Sequence, residues 1–272
     1  MPELPEVETT RRGITTHIIG HTITDIRINN PNLRWPVPTH ELKTALPGQK
    51  VLAVNRRAKY LLLDCGNGHL IIHLGMSGSL RILKQTTHTE KHEHVEIYFN
   101  NGTVLRLRDP RRFGAVLWTD QAPENHSLLL RLGPEPLDDD FNSEYLFQQT
   151  RKRRSCIKNL IMDSHVVVGV GNIYASEALF HAGIRPGNSA ARLSRKSCSK
   201  LVTEIRQVLN QAINAGGTTL RDFTDSNGKA GYFSQKLFVY AREGEKCQQC
   251  DHTIKRKLIG QRSSFYCPNC QK

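Results

Sequence analysis

Hydrophobic and polar residues alternate through the first half of the chain. Val95, Ile97 and Phe99 are separated by Glu96 and Tyr98, and the Asn100-Asn101-Gly102 segment that follows is typical of a tight turn. Similar runs predict strands at 22–28, 50–55, 60–64, 69–74, 79–83, 94–99 and 103–107. A short helix is expected before them, over about residues 4–16. The pattern predicts an antiparallel β-sandwich or flattened barrel with a leading helix.

The pattern changes near residues 132–142. Gly133-Pro134-Glu135-Pro136 and the acidic run at 138–140 interrupt both periodicities, which predicts a linker. Beyond it, apolar residues recur at helical spacing from Leu201 to Ala212, until Gly216-Gly217 ends the run. The second half is therefore predicted to be helical, and the chain to be an α+β protein of two domains.

The charge balance points to a polyanionic partner. The 272 residues include 38 Lys and Arg against 25 Asp and Glu, a formal charge of +13. Such an excess favours nucleic acid, and no basic amphipathic helix of the membrane-surface type is present in the sequence. The first residues are acidic where a secretory signal would be basic, and no apolar run is long enough to span a membrane. We expect a soluble, cytoplasmic protein.

Four of the seven cysteines form a C-x2-C-x16-C-x2-C pattern at Cys247, Cys250, Cys267 and Cys270. This spacing predicts four thiolates around one zinc ion, and four protein ligands leave no open position for catalysis. The zinc is therefore expected to be structural. The basic residues between the two pairs predict a hairpin that probes nucleic acid, with a purely stabilising ribbon as the alternative. The other three cysteines are expected to be buried or unreactive thiols.

The first six residues, Met-Pro-Glu-Leu-Pro-Glu, have two interpretations. Removal of Met1 would leave Pro2 with a secondary α-amine whose reference pKa is about 8, and an unprotonated amine attacks carbonyls to give Schiff bases. Glu3 could then move protons during the attack. In the structural alternative, Pro2 and Pro5 rigidify the start of a helix, and acidic residues stabilise its positive end.

Two glycine-containing segments of the first half have open interpretations. Asp109-Pro110-Arg111-Arg112-Phe113-Gly114 could cap a hairpin with Phe113 in the core. In a basic protein it could instead present Phe113 and the arginines as a wedge for the minor groove, where a flat ring replaces base stacking. Met76, between Gly75 and Gly78, could fill the core or protrude.

Three further basic or polar positions are candidates. Gly169-Val170-Gly171-Asn172 precedes a helical stretch, with Asn172 predicted as the N-cap, so the turn could bind an anion or simply be capped. The run 151–154 is a solvated basic stretch or a phosphate contact. Lys59 is a surface lysine at the start of a strand unless the N-terminus lies nearby.

Six of these motifs together resemble the formamidopyrimidine-DNA glycosylase family of bifunctional base-excision enzymes. The resemblance runs along the whole chain. It rests on the first eight residues, Arg57-Ala58-Lys59-Tyr60, 73–78, 109–114, 169–172, and the four-cysteine segment with Gln261-Arg262.

The resemblance implies a fold and its domain boundaries. An N-terminal antiparallel β-sandwich with a leading helix would occupy residues 1–131, and a hinge would follow at 132–142. A helix-two-turns-helix domain would span 143–235, including a lesion-capping loop at 216–233. A zinc finger would complete the chain at 236–272.

The resemblance also implies the catalytic residues. Pro2 resembles the nucleophile that attacks the sugar C1′ and forms a Schiff base with DNA, and Glu3 the acid/base group. Lys59 resembles the residue assisting β-elimination, and Arg262 the group supporting δ-elimination. Glu6 matches a further acidic position of the family.

The resemblance implies the DNA contacts as well. The target base must leave the stack, and Met76, Arg112 and Phe113 match the residues that fill the gap, with Arg112 facing the estranged cytosine. His92, Arg111, Arg153, Asn172 and Arg262 match backbone contacts. Arg153 stands where some relatives have lysine, which keeps the charge but changes donor geometry.

The implied protein is a monomeric DNA-formamidopyrimidine glycosylase and DNA-(apurinic or apyrimidinic site) lyase acting on damaged double-stranded DNA, of bacterial type and associated with the nucleoid. It would excise 8-oxoguanine and formamidopyrimidines.

An endonuclease VIII-like enzyme for oxidised pyrimidines is one alternative, although such enzymes typically have glycine where this chain has Leu4. A non-catalytic zinc-finger protein leaves Pro2, Glu3 and Lys59 without a role, and a small-molecule tautomerase acting through Pro2 leaves the finger and the positive charge unexplained.

Overall fold

The structure is a computed structural model that describes residues 2–151, 153–217 and 237–272. Two compact units divide the chain. The first is built on Met1–Leu130 and the second on Arg131–Asn214 with the C-terminal residues. None of the described helices combines the length and the apolar character that crossing a membrane requires.

The leading helix α1 is Leu4–Ile18, two residues longer than predicted. It begins with a capping box, in which the Glu3 side chain accepts the N–H of Glu6 and the Glu6 side chain accepts the N–H of Glu3. One face of the helix is apolar and buried, with Val7, Ile14 and Ile18 at helical spacing. This face packs the helix onto the sheets of the first unit.

Two four-stranded antiparallel sheets form the rest of the first unit. One has the order β1-β6-β7-β5 and the other β2-β3-β4-β8. The strands are β1 Ile23–Ile28, β2 Ala53–Arg57, β3 Tyr60–Asp64, β4 His69–His73, β5 Ser79–Lys84, β6 Glu93–Phe99, β7 Thr103–Arg108 and β8 Ala115–Thr119. Buried residues of both sheets, among them Phe99 and Leu61, belong to one apolar cluster. The predicted β-sandwich is confirmed.

Three local expectations for this unit were incomplete. Strand β2 begins at Ala53 rather than at residue 50. Strand β8 was not predicted, because its five residues show no clear alternation of burial. Helix α2, Thr39–Ala45, was also missed, because Leu42 is its one buried residue and an apolar period cannot be recognised from a single position.

The second unit is helical, as predicted, and ends in a hairpin. Its helices are α3 Ser143–Arg151, α4 Ile157–Ile161, α5 Asn172–Ala182 and α6 Arg195–Asn214, and its strands are β9 Lys255–Ile259 and β10 Arg262–Tyr266. Helix α6 contains the predicted apolar face, buried from Leu201 to Ala212. Within the predicted linker, Gly133 lies against the backbone of Val166, where an added Cβ would come within 2.8 Å. A larger residue would not fit there.

Candidate functional site

The start of α1 places two carboxyl groups directly after Pro2. Pro2 is buried, and Glu3 and Glu6 are each 2 % exposed. The N–H of Glu3 donates to Glu6 Oε2 at 2.8 Å. Gly217 lies against the same carboxyl group, since a Cβ added there would be 3.2 Å from Glu6 Oε1. The arrangement holds acid/base groups next to the nitrogen that removal of Met1 would free.

The turn between β2 and β3 carries Lys59 and is tied to α1. Arg57 pairs with Tyr60 across the turn, and Ala58 has a positive φ of 55°. Arg56 donates to the carbonyl oxygen of Ala58 at 3.0 Å and to Glu8 Oε2 of α1 at 3.2 Å. The lysine turn is thus connected to the helix that follows Pro2.

Glu8 is the centre of a cluster of arginines. Burial alone would raise the pKa of the Glu8 carboxyl, but hydrogen bonds from Arg11 and Arg12 and the charges of Arg11 and Arg56 lower it to about 2. The carboxylate therefore stays ionised at neutral pH. It connects α1 to β2 through the Arg56 contact described above.

His73, at the end of β4, is a neutral neighbour of Lys59. It pairs with Tyr60 across the sheet, and its Nδ1 accepts the N–H of Gly75 at 3.0 Å. Burial, together with the positive charges of Lys59 and Arg34, lowers the pKa of His73 to about 4. Because Lys59 affects this pKa, its ammonium group lies within electrostatic range of the ring.

The segment 109–114, here called the wedge loop, is fixed to the glycine turn that carries Met76. The Asp109 carboxylate is fully buried, accepting Ser77 Oγ and the N–H of Gly114, each at 2.7 Å. Gly75 has a φ of 62°, and a Cβ there would lie 2.3 Å from the carbonyl carbon of Phe113. The two turns therefore touch backbone to backbone.

The wedge loop directs its basic and aromatic side chains outward. Arg111 and Arg112 are exposed, and Phe113 is 40 % exposed, so the alternative that buries Phe113 in the core is wrong. Arg112 has a φ of 57°, and the Arg111 guanidinium lies 4.9 Å from the centre of the Phe113 ring. Met76 is half-buried. The loop is a rigid, outward-facing aromatic and cationic tip.

His92 is held from the same buried region. Its carbonyl oxygen accepts the N–H of Asp109 at 2.9 Å, and its own φ is 72°. The loop before it is fixed by Arg106, which is 1 % exposed and donates to the His88 carbonyl oxygen at 2.8 Å and to Glu93 at 3.1 Å. His92 is therefore part of the ordered surface around the wedge loop.

In the second unit, Asn172 differs from its predicted role as N-cap. It is the first residue of α5, and Gly171 is the N-cap. The Asn172 amide is occupied elsewhere: Oδ1 accepts Lys158 Nζ at 2.5 Å, and Nδ2 donates to the Ser263 carbonyl oxygen at 3.0 Å. The N-terminal turn of a helix is in general a site that can bind an anion through backbone N–H groups.

Lys158 is a functional candidate that the sequence reasoning missed. Its side chain is fully buried, and Nζ also donates to Ser264 Oγ at 2.6 Å. It thereby connects α4, the start of α5 and strand β10. A lysine in a short helix with apolar residues at Ile157, Leu160 and Ile161 was the available signal.

Arg262 and Arg153 are both on the surface. Arg262 is exposed at the first position of β10, opposite Ile259, after a turn in which Gly260 and Gln261 have positive φ values of 54° and 60°. Arg153 is exposed and forms an ion pair with Asp163 at 3.5 Å.

The four predicted cysteine ligands converge. Their Sγ atoms all lie within 4.8 Å of one another, and three of the six separations are 3.3, 3.4 and 3.9 Å. Thiolates at about 2.3 Å from a tetrahedral zinc ion lie about 3.8 Å apart, so the cluster fits zinc. The backbone N–H of Gln249 points at Cys247 Sγ, and that of Cys270 points at Cys267 Sγ, each with 3.4 Å between nitrogen and sulfur. These residues hold one structural zinc ion at the base of the β9–β10 hairpin.

The first unit thus contains Pro2, the two carboxyl groups, Lys59, His92 and the wedge loop. The second contains Asn172, Arg153, Arg262 and the cysteines. Of the predicted lesion-capping loop at 216–233, Gly216 and Gly217 are described, and the rest lies outside the described residues.

Three family models match the chain. They are the formamidopyrimidine-DNA glycosylase N-terminal domain over residues 1–116, the formamidopyrimidine-DNA glycosylase H2TH domain over 132–224, and a zinc finger found in FPG and IleRS over 244–272. The matches follow the order of the sandwich, the helices and the cysteine hairpin.

Proteins named formamidopyrimidine-DNA glycosylase are similar over the full length. That of Thioalkalivibrio sulfidiphilus is 56 % identical and that of Syntrophotalea carbinolica 54 %, each covering all of both chains. Among solved structures, the Lactococcus lactis Fpg in complex with DNA containing an abasic site has a TM-score of 0.92 and 34 % identity, covering 99 % of both chains. The Thermus thermophilus protein has a TM-score of 0.89 and 35 % identity, covering 99 % of this chain and 98 % of that one.

Proposed function

The chain belongs to the formamidopyrimidine-DNA glycosylase family, and from that premise we propose that Pro2 is its nucleophile and that oxidised purines are its substrates. The protein is a DNA glycosylase of base excision repair, and AP lyase activity is typical of its family. The observation that supports the residue assignment is the capping box, which fixes Glu3 and Glu6 immediately after Pro2.

Base removal begins at the sugar. The unprotonated Pro2 nitrogen attacks C1′ as the bond from C1′ to the base breaks, and the proton that the nitrogen then loses balances the proton that the departing base takes up. Glu3 donates a proton to the sugar ring oxygen, the ring opens, and the nitrogen lone pair forms a Schiff base with C1′. The Glu6 carboxyl group orients Glu3 by accepting the backbone N–H of Glu3, with 2.8 Å between that nitrogen and Glu6 Oε2.

Strand cleavage follows by two eliminations. Loss of a proton from C2′ expels the 3′ phosphate, assisted by Lys59, and a second elimination supported by Arg262 expels the 5′ phosphate. Water then hydrolyses the Schiff base and restores the Pro2 amine. The pKa of His73 is lowered to about 4, so the ring is neutral at physiological pH and Lys59 is the cation of this pair.

The remaining site residues hold and distort the duplex. Met76, Arg112 and Phe113 fill the gap left by the everted base, with Arg112 facing the opposite cytosine. His92, Arg111, Arg153, Asn172 and Arg262 contact the phosphate backbone, which makes binding steeply dependent on salt. The outward direction of the wedge loop supports this assignment.

Two observations favour oxidised purines over oxidised pyrimidines. The residue after Glu3 is leucine rather than the glycine expected of endonuclease VIII-like enzymes. A Lactococcus lactis Fpg mutant with 32 % identity and a TM-score of 0.93 was solved with DNA containing Fapy-dG, covering all of both chains.

We further assign the domains and the cellular setting. Residues 1–131 are the catalytic domain, 132–142 the hinge, 143–235 the DNA-binding domain with the capping loop at 216–233, and 236–272 the finger. The enzyme acts as a monomer in the bacterial cytoplasm, where its DNA substrate lies in the nucleoid.

Replacing the nucleophile tests the proposal. Pro2→Gly replaces the secondary amine with a primary one and should lower excision of 8-oxoguanine by at least about 100-fold, while binding to a duplex with a reduced abasic site stays within about threefold of wild type. Single-turnover cleavage and fluorescence anisotropy measure the two quantities. Pro5→Ala, which changes the neighbouring proline, is the matched control. A fully active Pro2→Gly enzyme would remove Pro2 from the mechanism.

A further inference from the structure

A cavity in the first unit lies beside the wedge loop and has no role in the reaction described above. Its volume is about 660 Å³, and it is lined by Asn32, Leu33, Arg34, Arg111, Arg112 and Phe113. That volume falls within the range of sites for small ligands or single nucleotides. Arg111, Arg112 and Phe113 belong to the wedge loop, whereas the other three residues come from the segment between β1 and α2.

The cavity concentrates positive charge. Among the described residues, Arg34, Arg111 and Arg112 form no ion pair with a carboxylate. The Arg34 guanidinium lies 4.8 Å from the centre of the Trp35 ring, an arrangement like that of Arg111 over Phe113. Stacking on a ring holds a guanidinium in place without using its N–H donors. The donors of both arginines therefore remain available to an anion.

The segment that carries Arg34 is rigid. Leu33 and Val37 are 7 % and 5 % exposed and belong to the core of the sandwich. Their N–H groups both donate to the carbonyl oxygen of Pro31, at 3.0 and 2.9 Å. Asn29 connects the segment to β6 by donating its N–H to the His94 carbonyl oxygen at 2.8 Å. A preformed site loses little conformational entropy when a ligand binds.

Arg34 also lies within electrostatic range of His73, the neighbour of Lys59. Its positive charge acts together with that of Lys59 in lowering the pKa of the His73 ring. An occupant of this cavity would touch the residues that fill the gap in the duplex.

We propose that Arg34 is a further DNA-binding residue, and that the cavity receives a backbone phosphate of the duplex next to the damaged nucleotide, held between the guanidiniums of Arg34 and Arg111. Planar guanidiniums match phosphate oxygens in bidentate geometry. The inference rests on the proposed function, because it takes the substrate to be duplex DNA bent over the wedge loop. It adds a contact from a segment to which no role has been assigned above.

Arg34→Gln tests the contact while keeping a polar side chain. We expect affinity for a duplex with a reduced abasic site to fall about tenfold at 0.1 M salt, with the slope of log K against log salt reduced by about 0.9. Arg27→Gln is the matched control, since Arg27 also lies over a ring, that of Tyr98, but outside the cavity. It should keep the wild-type slope.

Methylphosphonate substitution locates the phosphate. Each phosphate near the lesion is neutralised in turn, first on the damaged strand and then on the opposite strand, and binding of wild type and Arg34→Gln is compared. At the contacted phosphate, neutralisation should weaken wild type about tenfold more than the variant, in which Arg111 still contacts that phosphate. The strand on which this occurs identifies the source of the phosphate.

The inference is overturned if Arg34→Gln keeps the wild-type affinity and slope, or if every methylphosphonate affects both proteins equally. Failure of the proposed function has a different signature. In that case wild-type protein would neither excise 8-oxoguanine nor form a borohydride-trapped adduct, whatever the effect of the Arg34 substitution.

Discussion

Two turns of this molecule present arginine at the surface, and they are rigid for different reasons. The wedge loop, residues 109–114, is fixed from within by the buried Asp109 carboxylate and by backbone contact with Gly75. The β9–β10 hairpin has only a small apolar cluster, with Ile254 and Phe265 packed around the four cysteines at its base, and four of the five residues of β9 are exposed. One turn depends on hydrogen bonds and packing, and the other on a metal ion.

The comparison shows that two turns that both present arginine at the surface can respond to different conditions. Hydrogen bonds to a buried carboxylate survive chelators, whereas a hairpin whose small apolar cluster is built around its zinc ligands depends on the metal to fold. The two turns can therefore be perturbed separately. Trp35 and Trp118, the two tryptophans of the chain, both belong to the first unit and report on it alone.

Removing zinc should have the largest effect. A chelator strong enough to strip the ion should unfold the hairpin, displace Arg262 and reduce DNA affinity by at least about 1000-fold, with the tryptophan fluorescence transition of the first unit unchanged. Anisotropy with labelled duplex measures the affinity, and a colorimetric assay follows zinc release. Cys267→Ser should reproduce the loss, and Cys65→Ser serves as control. Unchanged DNA binding by zinc-free protein would contradict this dependence.

Changing Asp109 should affect the other turn. Asp109→Asn replaces one acceptor with an N–H2 group that cannot accept from Ser77 or Gly114, so we expect a loss of about 2 kcal/mol in the free energy of unfolding. Urea unfolding followed by tryptophan fluorescence measures it, and zinc content should remain one ion per chain. Asp120→Asn, on the surface of the same unit, is the control. A wild-type unfolding curve would mean that Asp109 does not fix the wedge loop.

Acid should weaken the wedge-loop region through His73. Burial and the charges of Lys59 and Arg34 lower the pKa of His73 to about 4 from 6.5, so the unfolded chain binds the proton more readily. The stability contribution is therefore present above pH 6.5 and is lost as the pH falls towards 4. Between pH 7 and pH 4.5 we expect a loss of about 2 kcal/mol from this group.

His73→Asn isolates that contribution. It keeps an acceptor for the Gly75 N–H but does not titrate, so the variant should lose about 2 kcal/mol less than wild type over the same pH interval. Urea unfolding at both pH values, again followed by tryptophan fluorescence, gives the difference. Equal losses in the two proteins would show that His73 is not protonated on unfolding.

The smallest effect is expected from the tip of the wedge loop. Arg112→Ala removes the donors that we propose face the opposite base, so the preference for cytosine over adenine opposite 8-oxoguanine should fall about tenfold with little change in folding. Single-turnover excision from the two duplexes measures the ratio, with Arg27→Ala as control. An unchanged ratio would assign the discrimination to other residues.

Features encoded by neighbouring residues could be predicted from the sequence. The zinc ligands come in two C-x2-C pairs, so local spacing was enough to predict the metal site. The sandwich was predictable because its strands alternate. Helix α2, with one buried residue, gave no such signal.

Contacts between distant residues could not be predicted. Asp109 and Ser77 are 32 positions apart, and Asn172 and Ser263 are 91 apart. The second contact also explains why the predicted N-cap was wrong: the Asn172 amide is occupied by Lys158 and by Ser263. Such pairings depend on the tertiary fold, which places the buried Lys158 beside Ser263 and Ser264 of β10.

Borohydride trapping tests the central claim most directly. Purified protein is mixed with duplexes carrying 8-oxoguanine opposite cytosine or thymine glycol opposite adenine, reduced, and the cross-linked peptide is mapped by mass spectrometry. Reduction converts a Schiff base into a stable amine, so the attached residue is the nucleophile. The account predicts a cross-link at Pro2, strongest with 8-oxoguanine. A cross-link at Lys59, or binding without any cross-link, would contradict it.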